Sequence, residues 1–223
     1  MKYSFTLCEF FFSISLQQYE IYRSSYKELT EFCNFETCFD LLSHTPDEIT
    51  KYNILYYRTM SSAISAIIFQ AFSVEAYMNF YGAIKLGDNV FKNHYDRISI
   101  LDKIIIIPRI ATGRDFPKGD NIYGLIKKLF KHRDMLVHYK SNAVDTRSTS
   151  DLDFCNVLYK CYEFVLDGLD DIINVYPKLK ILLSSMEDKK VDLFYEQEQE
   201  AMKEMGKLVT EMFYKAFGLE DKY

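Results

Sequence analysis

An arginine and a histidine in the second half of the chain could together bind phosphate and transfer protons. Arg133 and His138 are separated by four residues. A guanidinium supplies positive charge and bidentate donors to phosphate oxygens, and an imidazole, with an ordinary pKa of about 6.5, exchanges protons near neutral pH. Asp134 lies one helical turn before His138, so its carboxylate could orient the imidazole. We therefore assign phosphate stabilisation to Arg133, general acid/base work to His138 and orientation to Asp134.

The apolar pattern around these residues predicts an amphipathic helix from about Asp120 to Lys140. Its apolar positions are Ile122, Leu125, Ile126, Leu129, Leu136 and Val137. Arg133 falls inside this stripe, about three turns after Ile122. Because an unpaired buried charge is costly, we expect Arg133 to line a cleft, to meet a carboxylate, or both. His138 points roughly 140° away, so the two would meet through a distortion at the helix end or across a two-fold axis.

A second charged residue occupies an apolar position in the helix predicted over residues 46–86. Glu75 lies eleven residues after Ile64 and so on nearly the same azimuth. One interpretation is a slightly rotated stripe that leaves the carboxylate at the rim. The other is that Glu75 pairs with Arg133 and fixes its guanidinium toward a cleft.

The segment Arg133-Asp134-Met135-Leu136-Val137-His138 resembles the Arg-x4-6-His motif of the HEPN (higher eukaryotes and prokaryotes nucleotide-binding) superfamily. Residues 74–79, which contain Glu75 and Asn79, resemble the acidic second-helix region of some HEPN proteins, which makes these two residues candidates for a supporting role. The resemblance implies an all-α fold and a homodimer whose paired motifs line one cleft.

The activity that the resemblance implies is metal-independent endoribonuclease cleavage of the toxin or host-defence type, without a cofactor or a metal. The products would be 2′,3′-cyclic phosphate and 5′-OH ends, and an antitoxin or a defence-system protein could be a partner. The alternative within the same fold is a non-catalytic dimeric module that binds nucleotide or nucleic acid. A purely structural helical protein is a third possibility.

The chain of 223 residues has a formal net charge of -5, which argues against a uniformly basic nucleic-acid coat. A local basic cluster nevertheless surrounds Arg133, and we assign RNA binding to Lys127, Lys128, Lys131 and Lys140. His132, between two cations, is expected at the surface. Lys103, Arg109, Arg114 and Lys118 could extend a phosphate-binding surface, although a solvated loop explains them equally well.

The cysteine content indicates reduced thiols and a cytoplasmic protein. The five cysteines are odd in number and form no paired C-x2-C motifs. Cys33, Cys38 and His44 could contribute to a metal site, but no fourth ligand at a recognisable spacing accompanies them. Glu9 interrupts the apolar N-terminal run, so we expect a packed helix rather than a signal peptide, and nothing requires a membrane.

Helical periods without strand alternation predict an all-α, antiparallel helical bundle with flanking helices. The predicted helices cover about 4–32, 46–86, 96–106, 120–140, 151–176, 178–185 and 188–217. Pro108 and Pro177 are expected to end helices, and Gly168 to lie inside one. Four aromatic positions are expected in the core rather than as base-stacking platforms: Phe69, Phe72, Tyr77 and Phe80. We predict a single domain over 1–223, with 188–218 a terminal helix that could pack on a partner.

Overall fold

The computed structural model describes residues 7–33, 45–137 and 168–187, and within these ranges the chain is helical and contains no strand. The predicted all-α class is therefore confirmed. The helices are α1 (Leu7–Cys33), α2 (Pro46–Leu86), α3 (Asp88–His94), α4 (Ile100–Thr112), α5 (Asn121–Val137), α6 (Leu169–Ile172) and α7 (Val175–Met186). The predicted loops at 34–44 and 141–150 and most of the helix predicted over 151–176 lie outside the described residues.

The chain divides into two compact units, Met1–Lys180 and Ile181–Tyr223. The described part of the first unit contains α1 to α6 and the beginning of α7. Of the second unit, the structure describes only residues 181–187. The predicted terminal helix at 188–218 lies outside the described residues, and the single domain over 1–223 stays a prediction.

Helix α2 begins and ends where its capping residues predict. Thr45 and Glu48 form a reciprocal capping box, in which the Glu48 carboxylate accepts from the Thr45 backbone N–H at 2.8 Å. Gly87, with φ of +85°, follows the last residue. The helix is long and apolar enough to cross a membrane by length and composition alone. Half of its most apolar window is buried within the protein, and a core helix passes the same test.

Helices α1 and α2 form an antiparallel pair. The ring of Phe11 lies 6.0 Å from that of Phe69, while at the other end Lys51 Nζ lies 4.7 Å from the ring centroid of Phe32. Residues later in α1 therefore contact residues earlier in α2. Between these ends, Ser15 Oγ donates to the carbonyl of Ala66 at 2.8 Å. This hydrogen bond ties the two helices together directly.

Small and hydroxyl-bearing side chains occupy the buried faces of α1 and α2. Fully buried members are Ser15, Ser25, Thr59, Ala63, Ala66 and Ser73. The hydroxyls of Ser25, Thr59 and Ser73 donate to carbonyls one turn earlier on their own helices. A buried hydroxyl without an acceptor would cost free energy, so this back-bonding makes the polar interface tolerable.

The region after Gly87 is more regular than its sequence predicts. Helix α3 was not predicted, and α4 continues to Thr112, so the prediction that Pro108 ends a helix is wrong. A proline lacks the N–H that would donate to the preceding turn. Here Pro108 is buried beside Ile104 and Ile107, and this apolar burial offsets the missing hydrogen bond.

Glycine at position 82 allows α3 to approach α2 closely. A Cβ built on Gly82 would lie 2.5 Å from a ring carbon of Phe91, a residue that is only 3% exposed. No side chain fits this contact without movement of the ring. The glycine therefore allows α3 to pack directly against α2.

The predictions for Gly168 and Pro177 are also wrong. Gly168 does not lie inside a helix: it precedes α6 with φ of +66°, a conformation that L side chains rarely adopt. Pro177 does not break a helix, because it lies in the first turn of α7. First-turn N–H groups have no acceptor within the helix, so a proline there removes no hydrogen bond.

Candidate functional site

Helix α5 carries Arg133 on its buried face. The side chain of Asp120 caps the helix, accepting from the Ile122 N–H at 3.1 Å. Ile122, Ile126 and Leu129 are buried at successive turns. Arg133 continues their stripe, and its side chain is 22% exposed. The predicted position of a cation within an apolar face is thus confirmed.

The guanidinium of Arg133 contacts two carboxylates and an aromatic ring. Its Nη2 lies 3.8 Å from Glu75 Oε2, and its Nη1 lies 3.2 Å from Asp134 Oδ1. The ring of Phe130 lies 5.2 Å from the guanidinium carbon. The predicted pairing with Glu75 is therefore confirmed. The 3.8 Å separation exceeds that of a hydrogen bond, so this pair is held by Coulombic attraction alone.

The Nε–H of Arg133 is a buried donor without an acceptor among the described residues. A buried donor left unsatisfied costs roughly 1–3 kcal/mol, so native structures rarely retain one without a reason.

The carboxylate of Glu75 lies at the rim of the helix pair, because its side chain is 41% exposed. The rim position and the pairing with Arg133 therefore hold together rather than as alternatives.

Asn79 lies one turn after Glu75 and holds a buried lysine. Its Oδ1 accepts from Lys103 Nζ at 2.7 Å, and the carbonyl of Asp96 accepts from the same ammonium at 2.7 Å. Burial lowers the pKa of Lys103, against the opposing attraction of Asp96 and Glu75. Because Lys103 is 3% exposed and lies on α4, both alternatives offered for it, a phosphate-binding surface and a solvated loop, are wrong.

The signal for a buried Lys103 was present in the sequence. Lys103 follows Ile100 by three residues and precedes Ile107 by four, so it falls in the apolar stripe of α4. Like Glu75 and Arg133, Lys103 is a charged residue at a position of the stripe where an apolar one is expected. Arg109 remains at the surface, where it pairs with Asp115 at 3.0 Å.

The lysines assigned to RNA binding differ in their surroundings. Lys127 and Lys131 are exposed and share the outer face of α5. Lys128 is half-buried beside Gly168, and a Cβ added to Gly168 would collide with the Lys128 ammonium. Lys140, like His138, lies outside the described residues.

His132 is buried, at 1% exposure, and the expectation of a surface histidine is wrong. Its charged neighbours in sequence were misleading, because adjacent helical residues point about 100° apart. His132 lies three residues after the fully buried Leu129 and so near the buried face. Among the aromatic positions expected in the core, Tyr77 is buried, whereas Phe72 is 38% exposed.

Metal ligands do not cluster among the residues that the structure describes: no group of three or more His, Cys, Asp or Glu side chains could hold an ion there. Cys38 and His44 lie outside those residues. Cys33 carries no disulfide, and burial raises the pKa of its thiol, which lowers the thiolate fraction.

A second charged cluster, in the first unit, was not predicted. Glu9 Oε1 accepts from Tyr176 Oη at 2.5 Å and from Lys180 Nζ at 2.6 Å. Glu9 and Lys180 have side chains only 9% and 13% exposed. Burial raises the pKa of Tyr176, and the neighbouring Cys8 and Glu9 raise it further. The sequence signal was Glu9 itself, a carboxylate within an apolar helix, which needed a buried partner.

Comparison of the chain with protein-family models, with curated proteins and with solved structures finds no match.

Proposed function

We propose that this protein is a metal-independent endoribonuclease of the toxin or host-defence type, with a HEPN-like arrangement and no cofactor. The observation that carries the proposal is the state of Arg133. Its guanidinium lies on the buried face of α5, five residues before His138, and one of its donors has no acceptor in the described part of the chain. The side chain is 22% exposed, so part of the guanidinium is accessible to a ligand, and a phosphate oxygen is an acceptor that would satisfy the remaining donor.

The cleavage is an internal transfer at phosphorus. The 2′-oxygen attacks the adjacent phosphorus while a base removes its proton. The bond from phosphorus to the 5′-oxygen breaks, and an acid gives that oxygen a proton. The products are a 2′,3′-cyclic phosphate and a 5′-OH end, with no oxidant or water consumed. Arg133 would stabilise the additional negative charge on the pentacovalent phosphate, and His138 would move the protons.

A homodimer would supply both proton-transfer groups. On an ideal helix His138 points roughly 140° from Arg133, so an undistorted helix would not place both on one phosphate. Two copies related by a two-fold axis would bring the arginine of one motif toward the histidine of the other. One His138 would act as base and its symmetry mate as acid, with Asp134 orienting the imidazole.

A non-catalytic binding module is the second candidate, and one observation favours it. Arg133 contacts the carboxylates of both Glu75 and Asp134, so its positive charge is already compensated. A compensated guanidinium binds a phosphate more weakly and stabilises less developing charge. Such a site could retain a nucleotide or RNA without cleaving it.

The decisive experiment is incubation of the purified protein with labelled single-stranded RNA in EDTA, followed by analysis of the product ends. We expect cyclic phosphate and 5′-OH ends. Arg133→Ala should lower the rate by about 10²- to 10³-fold, as removal of a transition-state donor does, and His138→Ala by about 10²- to 10⁴-fold.

Two matched controls exist within the chain. Arg23 also has a carboxylate at 3.8 Å, from Glu20, and a ring at 5.8 Å, from Tyr19, but its side chain is 61% exposed. His94 is an exposed histidine on α3. Arg23→Ala and His94→Ala should leave the rate unchanged. RNA that is bound by the wild-type protein yet stays intact would favour the binding module. Cleavage that survives in both site variants would refute the assignment.

A further inference from the structure

Four phenylalanines form a partly exposed aromatic patch on the α1–α2 pair, which we define as Phe10, Phe11, Phe69 and Phe72. The ring centroid of Phe11 lies 6.2 Å from that of Phe10, 6.0 Å from that of Phe69 and 5.5 Å from that of Phe72. Phe10 is 45% exposed and Phe72 is 38% exposed. Other apolar side chains of this protein are also exposed, but these two rings belong to one contiguous aromatic cluster, and contiguous exposed apolar surface is where ligands bind.

The aromatic patch borders the residues around Arg133. Phe72 precedes Glu75 by three residues on α2, and side chains at this spacing are neighbours, with Cβ atoms about 5–6 Å apart. Glu75 Oε2 lies 3.8 Å from Arg133 Nη2. The exposed ring of Phe72 and the guanidinium of Arg133 are therefore both neighbours of the Glu75 carboxylate.

The rings of the patch are held in place before any ligand arrives. Phe72 packs at 6.1 Å and 90° against Phe69, and both contact Phe11 of the neighbouring helix. An aromatic side chain that is already ordered loses little conformational entropy when another flat ring stacks on it. A ring stacked on Phe72 would lie beside Glu75 and within reach of Arg133.

A single-stranded nucleotide matches this combination better than a protein surface does. Its base offers a flat face to the rings, and its phosphate offers acceptors to the guanidinium. A dry protein interface over the same area would have to desolvate the Glu75–Arg133 pair, which is costly. The exposed Lys127 and Lys131 on α5 add positive charge for a polyanion.

We propose that the aromatic patch is a base-stacking platform, centred on Phe72, for the nucleotide whose phosphate Arg133 binds. The inference rests on the proposed function and extends it to a substrate class: RNA with an unstacked, single-stranded base at the cleaved phosphate. Stacking accepts any base, so the platform selects single strands rather than a sequence.

The test measures binding of two short oligonucleotides that cannot be cleaved. The first is single-stranded RNA that is 2′-O-methylated throughout, which removes the attacking hydroxyl. The second has the same backbone but abasic sugars. Phe72→Ala should weaken binding of the first about 5- to 150-fold, the range that loss of one stacked base gives, and leave binding of the second unchanged.

Three further variants make the result specific. Phe72→Tyr should retain binding, because it keeps the ring, whereas Phe72→Leu should lose it despite its apolar side chain. Tyr57→Ala is the matched control. Tyr57 is a 68% exposed aromatic residue on the same helix, roughly 22 Å from Phe72 along the axis, and its loss should have no effect. Thermal unfolding of each variant verifies that it is folded.

The outcomes separate this inference from the function on which it rests. Arg133→Ala should weaken binding of both oligonucleotides. If it does, while Phe72→Ala weakens neither, the platform is refuted and the phosphate site stands. If the wild-type protein binds neither oligonucleotide, both proposals fail. If Phe72→Ala alters only the mass of the protein in solution, the patch is an interface between copies and the platform is refuted.

Discussion

Two pairs of opposite charge lie on apolar helix faces of the first unit, and they are built differently. In the Glu9 cluster, the carboxylate is 9% exposed and accepts short hydrogen bonds from Tyr176 and Lys180. In the other pair, Glu75 is 41% exposed and lies 3.8 Å from Arg133, whose Nε–H has no acceptor among the described residues. The first is closed and satisfied, whereas the second is open and incomplete.

This difference separates a structural pair from a candidate functional one. A carboxylate that is 9% exposed and already accepts two hydrogen bonds is poorly accessible to a ligand, and its loss removes a charge that a buried cation contacts directly. A guanidinium whose carboxylate partner Glu75 is 41% exposed and 3.8 Å away retains donors for an anion, and such a pair contributes little to stability. Stability should therefore depend on the Glu9 cluster, and activity on Arg133.

The strongest test of the comparison is Glu9→Gln. The amide keeps an acceptor for Tyr176 but removes the negative charge that lies 2.6 Å from the Lys180 ammonium, whose side chain is 13% exposed. We expect the free energy of unfolding, measured in urea, to fall by about 3–5 kcal/mol. Glu20→Gln is the control, because Glu20 forms an exposed pair with Arg23 at 3.8 Å. Its effect should stay below about 1 kcal/mol.

A double variant distinguishes charge from packing in the Glu9 cluster. Glu9→Gln with Lys180→Met removes both charges, and replacement of a buried ion pair by uncharged groups is often neutral. We expect most of the lost stability to return. A loss below about 1 kcal/mol for Glu9→Gln alone would show that the two charge pairs are energetically alike.

The two clusters also differ in how much of each can be predicted from the sequence. Helical periodicity locates a charge within an apolar stripe, which identified Arg133 and Glu75 and would have identified Lys103. It does not say which distant charge will meet it. The pair of Glu9 and Lys180 spans 171 positions in the chain and depends on how α7 packs, which no local pattern encodes.

The helix boundaries show the same limit of local sequence patterns. Capping residues gave the bounds of α2 because Thr45 and Glu48 act within one turn. Pro108 was misjudged because its tolerance inside α4 depends on burial of that face against other elements. Local chemistry therefore predicted α1, α2, α4 and α5, whereas it missed α3 and the break between α6 and α7, which depend on tertiary packing.

Two tyrosines of α1, outside the Glu9 cluster, make stability depend on pH. Burial raises the pKa of Tyr22 to about 12, and burial together with the hydrogen bond to Asp170 raises the pKa of Tyr19 to about 12, from an ordinary value of 10.0. The unfolded chain therefore loses these protons first. Their stabilisation is complete below about pH 10 and should be lost as the pH rises toward about 12.

Urea unfolding between pH 9 and 12 would measure this loss, with Tyr22→Phe as the comparison. Phenylalanine cannot ionise, so the variant should lose less stability than the wild-type protein over the range. Tyr57→Phe, at an exposed position, is the control and should follow the wild-type curve. Equal slopes for all three proteins would contradict the prediction.

Gln70 is a buried polar side chain outside the Glu9 cluster, and within the described part of the chain it lacks the hydrogen bonds that satisfy that cluster. Its side chain is fully buried on α2, and neither its Nε2 nor its Oε1 has a hydrogen-bond partner among the described residues. Replacement by Met keeps the volume and removes the unsatisfied groups. We expect Gln70→Met to raise the free energy of unfolding by about 1–3 kcal/mol. Gln17→Met, at an exposed position of α1, should change it by less than about 0.5 kcal/mol.

Glu75→Gln carries the smallest expected effect and bears most directly on the open side. Because Glu75 is 41% exposed, its removal should change the free energy of unfolding by less than about 1 kcal/mol. If its role is to hold the guanidinium of Arg133, kcat for RNA cleavage should fall by at most about fivefold, with KM little changed.

A mutant cycle shows whether Glu75 acts through Arg133. In an Arg133→Ala background, Glu75→Gln should have no further effect on cleavage, because there is no guanidinium left to hold. A higher affinity for RNA in Glu75→Gln with undiminished cleavage would instead show that Glu75 competes with the phosphate for Arg133. Glu75 would then act as an internal inhibitor of phosphate binding by Arg133, rather than as a residue that positions the guanidinium.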